Sequence, residues 1–283
     1  MVDVLVRPAE LADLLAAGAP VVLLDVRWAL GGPPGRDAYL AGHLPGAVFV
    51  DLDAELAGHG DPTDGRHPLP DVGALQGAAR RWGVRAGTPV VAYDASGNLA
   101  AARAWWLLRW AGITDVRLLD GGLAAWCAAG GELHTDDVVP EPGDVELRPG
   151  ALPTLELGEV AAFPDAGVLL DARAVERFRG EVEPVDPRAG HVPGARSAPT
   201  TENLDAEGRF LPPEVLRARF AALGATDGAP VAVYCGSGVT AAHEIAALAL
   251  AGVEAALFPG SWSQWSNHDL PVATGDADAH RPR

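Results

Sequence analysis

The sequence predicts an α/β protein of two tandem domains, each a mostly parallel sheet flanked by helices. Three observations carry this prediction. Short apolar runs of strand length alternate with amphipathic stretches of helix length; four segments of the first half recur in the same order in the second; and a proline- and acid-rich stretch without helical period separates the copies.

Along the chain, PAELADLLAAG from Pro8 reads as an amphipathic helix, and VVLLDVR (Val21–Arg27) is an apolar run closed by Asp25, the pattern of a buried parallel strand. Its partner is VLLDAR (Val168–Arg173), closed by Asp171. Next, YLAGHLPGA (Tyr39–Ala47) matches PRAGHVPGA (Pro187–Ala195), both built on Gly-His-x-Pro-Gly-Ala. His43 and His191 are expected to brace these loops through hydrogen bonds, and Asp25 and Asp171 to pair with Arg27 and Arg173. The third match sets PVVAYDASGNLAAARAWWLLRWAG (Pro89–Gly112) beside PVAVYCGSGVTAAHEIAALALAG (Pro230–Gly252): a strand, a tight glycine-containing turn, then an alanine-rich helix. Trp105, Trp106 and Trp110 sit at helical spacing there, as packing residues do. The fourth sets DGGLAAW (Asp120–Trp126) beside FPGSWSQW (Phe258–Trp265), and LGEVAAFPDAG and PPEVLRARFAALG add amphipathic helices to the second copy. The separation between partners changes only as loop lengths change, so a duplicated domain is the economical explanation. The expected division is a first domain over 1–135, an exposed linker over 136–153, a second domain over 154–275 and a disordered tail over 276–283.

At 283 residues the chain has room for two cores, and 48% hydrophobic with 21% charged residues is a globular composition. Its apolar stretches are broken well before membrane-span length, and the first residues lack a basic leader with an apolar run, so a soluble, cytoplasmic protein is expected. The formal charge of −17 disfavours nucleic acid and anionic membranes as partners. The two cysteines, Cys127 and Cys235, lie in different halves, which argues against a disulfide framework or a Cys-x-x-Cys pair. The eight histidines lack ligand spacing near them, so neither metal nor cofactor is expected.

Chemistry is expected where a strand gives way to a helix at the carboxyl edge of the sheet. In the second copy that turn reads Cys235-Gly236-Ser237-Gly238-Val239-Thr240. Two glycines let successive N–H groups converge into an anion-attracting nest, reinforced by the positive end of the following helix. A thiol there is expected to ionise readily, which also requires it to be open to solvent; Ser237 and Thr240 add hydroxyl donors. In the first copy Asp94 takes the cysteine's place, which makes that copy catalytically silent. Cys127, in AAWCAAG, has no nest and is read as structural.

These residues resemble the rhodanese superfamily in its tandem form, through the paired Gly-His-x-Pro-Gly-Ala segments, the paired Trp-ending segments and the Cys235 loop. The resemblance implies two rhodanese-like domains and a double displacement: the thiolate takes an outer sulfur from a small anionic donor, becomes a persulfide, and passes the sulfur to an acceptor such as a thiol, thioredoxin or cyanide. Thiosulfate-preferring members carry basic residues after the cysteine, whereas Cys-Gly-Ser-Gly-Val-Thr is similar to 3-mercaptopyruvate sulfurtransferases. The family places a substrate-binding arginine in an Arg-Phe segment, matched here by Arg177 in ERFRG, with Arg179 a second candidate. Another family arginine lies in a segment two residues longer than this one, where Asp186 or Arg188 falls instead. The resemblance also implies a Ser-His-Asp relay, matched by Ser237, His67 and Asp53. Three rivals stay open: a thiosulfate:cyanide sulfurtransferase, a phosphatase, and a non-catalytic binding module. The phosphatase is disfavoured because its loop is longer and ends in an arginine.

Overall fold

The computed structural model describes residues 3–276. Within that span the chain separates into two compact units. One is built from the chain up to Gly58, Pro70–Leu152 and Leu204–Phe210; the other from His59–Leu69, Pro153–Asn203 and the chain from Leu211 onward. The division is thus not a single cut, because two short segments belong to the unit of the opposite half.

In the first unit the strands are β1 (Leu5–Val6), β2 (Val22–Asp25), β3 (Val48–Phe49), β4 (Val90–Tyr93) and β5 (Val116–Leu119), in the order β1-β5-β4-β2-β3. In the second they are β6 (Val168–Asp171), β7 (Arg196–Ser197), β8 (Val231–Tyr234) and β9 (Ala256–Leu257), in the order β7-β6-β8-β9. Every strand pairing in both sheets is parallel. Parallel strands covered on both faces must be apolar throughout, which is why β4 and β8 are buried at each residue. The expected duplication is visible in the topology, since β2, β3, β4 and β5 correspond to β6, β7, β8 and β9. The place of β1 is taken in the second unit by a single parallel bridge from Thr154 to Leu257.

Each core is the inner face of one sheet and the helices laid on it. In the first unit Val6, Leu11, Leu23, Leu44, Val91 and Trp126 pack together; in the second, Leu169, Phe178, Tyr234, Phe258, Trp262 and Trp265 do. Burying each large apolar side chain contributes about 1.5–3 kcal/mol. The two histidine loops are fixed to these cores in the same way. His43 Nδ1 lies 2.9 Å from the Tyr39 carbonyl with its ring stacked on Tyr39, and His191 Nδ1 lies 2.7 Å from the Phe178 carbonyl with its ring stacked on Phe178. Asp25 and Asp171, both fully buried at strand ends, pair with Arg27 and Arg173, each at 2.6 Å. Trp105 and Trp106 are buried in helix Ala101–Trp110, and Trp110 stacks on Trp106.

Three expectations need correction. LGEVAAFPDAG forms two four-residue helices, Leu157–Val160 and Phe163–Ala166, instead of one, because Pro164 has no N–H to continue the ladder and its ring clashes one turn back. The stretch expected as an exposed linker is exposed over most of its length, but it is anchored on the first unit. Val145 and Leu147 are buried there, and Gly143, Arg148 and Ala151 donate backbone hydrogen bonds to Arg80, Ala111 and Trp110. Cys127 lies in helix Gly122–Ala128 as expected of its sequence, but its side chain is exposed and supports no core. Of the expected tail, 277–283 lie outside the described residues; Asp276 accepts a hydrogen bond from Arg179 Nε at 2.6 Å.

Helix Val239–Ala251 carries a buried carboxylate, Glu244, that accepts from Asn203 Nδ2 at 2.6 Å and from Arg219 Nη1 at 3.4 Å. Burial raises this carboxyl to about 7 from an ordinary 4.5, against the opposing pull of Arg219, Thr200 and Asn203. The folded protein therefore keeps a proton that the unfolded chain has already lost, and stability falls as pH rises between those two values. Relative to Glu244→Gln, the wild type is expected to lose on the order of 3 kcal/mol between pH 4.5 and 8. Urea unfolding of both proteins at the two pH values checks this; a difference that does not change with pH contradicts it.

Candidate active site

The site is built where β8 ends. The strand delivers Cys235, and Gly238 turns the backbone with φ 80° into the first turn of helix Val239–Ala251. That left-handed conformation is open to glycine at little cost. The Gly238 N–H donates to Cys235 Sγ at 3.1 Å, so the sulfur receives a backbone donor at the positive end of a 13-residue helix. Val239 opens that helix and Thr240 is half-buried in its first turn.

A second layer supports the loop from below. Trp262 N–H donates to the Cys235 carbonyl at 3.0 Å and Ser263 N–H to the Gly236 carbonyl at 2.8 Å, while the Ser261 hydroxyl accepts from Cys235 N–H at 3.1 Å and donates to the Phe258 carbonyl. Cys235 is 1% exposed, which contradicts the expectation of a thiol open to solvent: the turn that holds it is packed into the core of its unit. Ser261 itself adopts φ 54°, a left-handed conformation costing a non-glycine residue roughly 1–3 kcal/mol. Its counterpart in the first unit is Gly122, with φ 55°. The second copy has thus exchanged a glycine for a strained serine whose hydroxyl reaches the cysteine's backbone.

The first unit shows what the same turn does with a carboxylate. Asp94 is fully buried and accepts from the N–H groups of Ser96, Asn98, Ala100 and Ala101 at 2.7–3.1 Å. Desolvation raises its pKa despite those four donors. Its helix starts only at Ala101, so a side chain fills the nest in place of a helix end.

Ser237 Oγ lies 2.7 Å from His67 Nδ1, and both residues are buried. Asp53 is in the first unit, where it accepts from the Trp28 indole N–H at 2.9 Å. Arg177 reaches the loop: a Cβ added to Gly236 would stand 3.3 Å from its Nη1 and 3.2 Å from Nη2 of Arg66. Arg66 was not among the sequence candidates. Both guanidinium groups bond Asp186, whose side chain is 3% exposed; Arg177 Nη2 does so at 3.2 Å and also meets Glu183 at 2.7 Å. Burial raises the Asp186 pKa even though Arg66 and Arg177 pull it down.

The other two arginines are engaged elsewhere. Arg179 faces outward to Asp276 and Glu181. Arg188 spends Nε, Nη1 and Nη2 on the carbonyls of Ser266, Leu270, Trp265 and His268, closing the end of helix Ser261–Trp265. Neither guanidinium is turned to a donor; lone arginines beside helix ends are drawn to the unpaired carbonyls there. Among the described residues no cluster of three or more His, Cys, Asp or Glu can hold a metal ion, and no helix is long and apolar enough to cross a membrane.

A duplicated parallel α/β domain, with a cysteine at the strand-to-helix turn of one copy and an acid at that of the other, defines the class of protein. The rhodanese-like domain model matches it twice, over residues 7–129 and 156–268, and the chain belongs to the rhodanese family. A Mycobacterium tuberculosis protein provisionally named thiosulfate sulfurtransferase SseB is 51% identical, the match covering 97% of this chain and 98% of that protein. A Pseudomonas aeruginosa protein provisionally named 3-mercaptopyruvate sulfurtransferase is 49% identical, over 90% and 93%. The crystal structure of SseA from Escherichia coli, described with the 3-mercaptopyruvate sulfotransferases, superposes with a TM-score of 0.81 at 33% identity, covering 92% of this chain and 98% of that one.

If position 261 demands a left-handed backbone, Ser261→Gly and Ser261→Ala remove the same hydroxyl but differ in strain. The glycine variant is expected to be more stable by about 1 kcal/mol in urea unfolding. Equal midpoints contradict the strain.

Proposed function

We propose that the protein is a sulfurtransferase that moves a sulfane sulfur from 3-mercaptopyruvate to a thiol, thioredoxin or cyanide acceptor through a persulfide on Cys235. The observation that carries this reading is the Gly238 N–H on Cys235 Sγ at the head of a long helix, which gives the sulfur a main-chain donor at a strand-to-helix turn. In the first step the Cys235 thiolate attacks the donor's sulfur, the carbon–sulfur bond breaks, and its electron pair leaves on the pyruvate enolate. The enolate then takes a proton to become pyruvate, leaving Cys235 as a persulfide. In the second step the acceptor attacks the outer sulfur and the Cys235 thiolate departs.

Arg177 is the residue we assign to the donor carboxylate, since a guanidinium grips a carboxylate through parallel hydrogen bonds. Ser237 and His67 are assigned to the donor carbonyl and to the proton the enolate needs. The loop has no arginine among Gly236–Thr240, which disfavours a phosphoryl substrate, and with Cys235 so enclosed a single outer sulfur is the form of substrate that fits. The net charge of −17 fits a cytoplasmic protein whose partners are neither nucleic acid nor membrane.

Thiosulfate is the second reading for the donor, favoured by the name of the 51% identical relative. Turnover with each donor and one common acceptor separates the two. 3-Mercaptopyruvate is expected to give the higher kcat/KM by at least about ten-fold, because a neutral loop meets a dianion poorly. Ser237→Ala is expected to cost about 100-fold with 3-mercaptopyruvate and far less with thiosulfate, which needs no enolate protonated. Intact-protein mass spectrometry after donor treatment should find one added sulfur, lost in Cys235→Ala; no added sulfur with either donor sinks the sulfurtransferase reading.

A further inference from the structure

We infer that Ser263 is a positioning residue for the transfer reaction: it holds the Cys235 loop and the segment that carries His67 to each other, and thereby sets the contact between Ser237 and His67. The inference rests on the sulfurtransferase reading of the Cys235 loop and adds to it a residue that acts through others.

Every polar atom of Ser263 is engaged. Its N–H donates to the Gly236 carbonyl at 2.8 Å, its carbonyl accepts from Asn267 Nδ2 at 2.7 Å, and its hydroxyl donates to the Gly260 carbonyl and accepts from Arg66 N–H, both at 3.0 Å. Gly236 and Arg66 each precede one member of the pair Ser237 and His67, whose Oγ and Nδ1 stand 2.7 Å apart. The hydrogen bonds therefore close a ring through Ser263, Gly236, Ser237, His67 and Arg66. With both arms of the ring fixed to one residue, the separation of Ser237 from His67 depends on little more than their own side-chain torsions. Gly65 lets the segment come this close: a Cβ there would stand 2.8 Å from the Gly260 carbonyl oxygen and 3.1 Å from Ser263 Oγ. Nearer the start of the segment, His268 Nε2 donates to the Thr63 carbonyl at 3.0 Å and gives it a second tether. Ser263 is 1% exposed, so an acceptor removed there is not replaced by solvent.

The first copy is a natural control. Gly208-Arg209-Phe210 repeats Gly65-Arg66-His67 and folds with the first unit, as His59–Leu69 folds with the second. In that copy Phe210 stands for the histidine, and the alignment of Trp126 with Trp265 puts Ala124 in place of the serine. The Arg209 N–H turns back to Asp205 Oδ1 within its own segment at 2.9 Å, and Phe210 N–H joins the segment to its unit by donating to Asp120 Oδ1 at 3.2 Å. The same segment is thus docked without a hydroxyl where it carries no histidine. A serine needed merely for docking would serve both copies equally, whereas one that accompanies the histidine belongs to the histidine's placement.

The test compares Ser263→Ala with wild type in the full chain, by NMR and by turnover. In protein labelled at its histidine nitrogens, the His67 Nδ1 signal, assigned with His67→Gln, is expected to move in Ser263→Ala toward its position in Ser237→Ala. With 3-mercaptopyruvate, kcat is expected to fall about ten-fold while KM stays within about two-fold, since misplacement slows the step without weakening the binding. The loss should vanish in the Ser237→Ala background, where no pair remains to be placed. An unmoved imidazole signal, an unchanged kcat, or a loss that adds in full to that of Ser237→Ala overturns the inference. Should Ser263→Ala not fold, as judged by its thermal melt, the second tether decides: His268→Ala is expected to reproduce both effects and His268→Gln, whose amide keeps an N–H for the Thr63 carbonyl, to reverse them, and failure of either overturns the inference. Sulfur uptake on Cys235, followed in parallel by mass, keeps the two readings apart: sulfur taken up by wild type with the imidazole signal unmoved in the variant removes only the positioning role, and a moved signal with no sulfur taken up from any donor removes only the transfer.

Discussion

A tight turn that follows a strand leaves backbone N–H groups pointing at one spot with no partner of their own, and something must accept from them. That requirement, met twice in this chain, organises both units. In the first the acceptor is the Asp94 carboxylate, wholly internal and held by four amides, so the nest is saturated and nothing can be exchanged there. In the second the acceptor is the sulfur of Cys235, a single atom with room to gain another. The two copies are related backbone turns that differ in what fills them, a carboxylate in one and a sulfur in the other.

What surrounds the device follows from placing a sulfur in a buried turn. The layer beneath must hold the loop rigid, and it does so through backbone pairs from Trp262 and Ser263 and through Ser261, which accepts a left-handed conformation to put its hydroxyl on Cys235 N–H. The strand ends beside it carry Asp171 and Arg173, a fully buried pair whose guanidinium also lies over the Trp262 ring at 4.7 Å. Buried ion pairs of this kind add little net stability but fix geometry, because separating the partners is far more costly than keeping them. The same pair recurs as Asp25 and Arg27 in the first unit, which identifies it as part of the frame that both copies share.

Much of this was legible in the sequence because duplication doubles every signal. The two apolar runs closed by Asp, the two Gly-His-x-Pro-Gly-Ala loops and the two turns at Asp94 and Cys235 located the strands, the braces and the strand-to-helix turns without any long-range information. Less legible were features that depend on where the chain goes after leaving an element. Arg66 lies in the first half of the sequence yet folds with the second unit, so proximity along the chain could not bring it to Gly236. Arg179 and Arg188 sit near Arg177 in sequence, but side-chain direction sends one outward and the other to the carbonyls of a helix end. Ser261 did leave a trace: a glycine in one copy facing a serine in the other, at a turn that both copies need, is the mark of a strained residue kept for its side chain.

The remaining chemistry turns on charge accounting around a neutral loop. Gly236, Ser237 and Gly238 bring dipoles but no cation to the sulfur, so whatever holds an anionic donor must reach in from outside the loop. Arg177 comes from the short helix Val175–Phe178 and Arg66 from a segment of the other half of the sequence, and each already holds part of Asp186. The Asp186 carboxylate offsets this pair of half-buried cations, since two uncompensated guanidinium groups would repel each other and the positive helix end alike. The loop thereby stays free of charged side chains while the ion pairs beside it stay balanced, and the two properties belong to different segments of the chain.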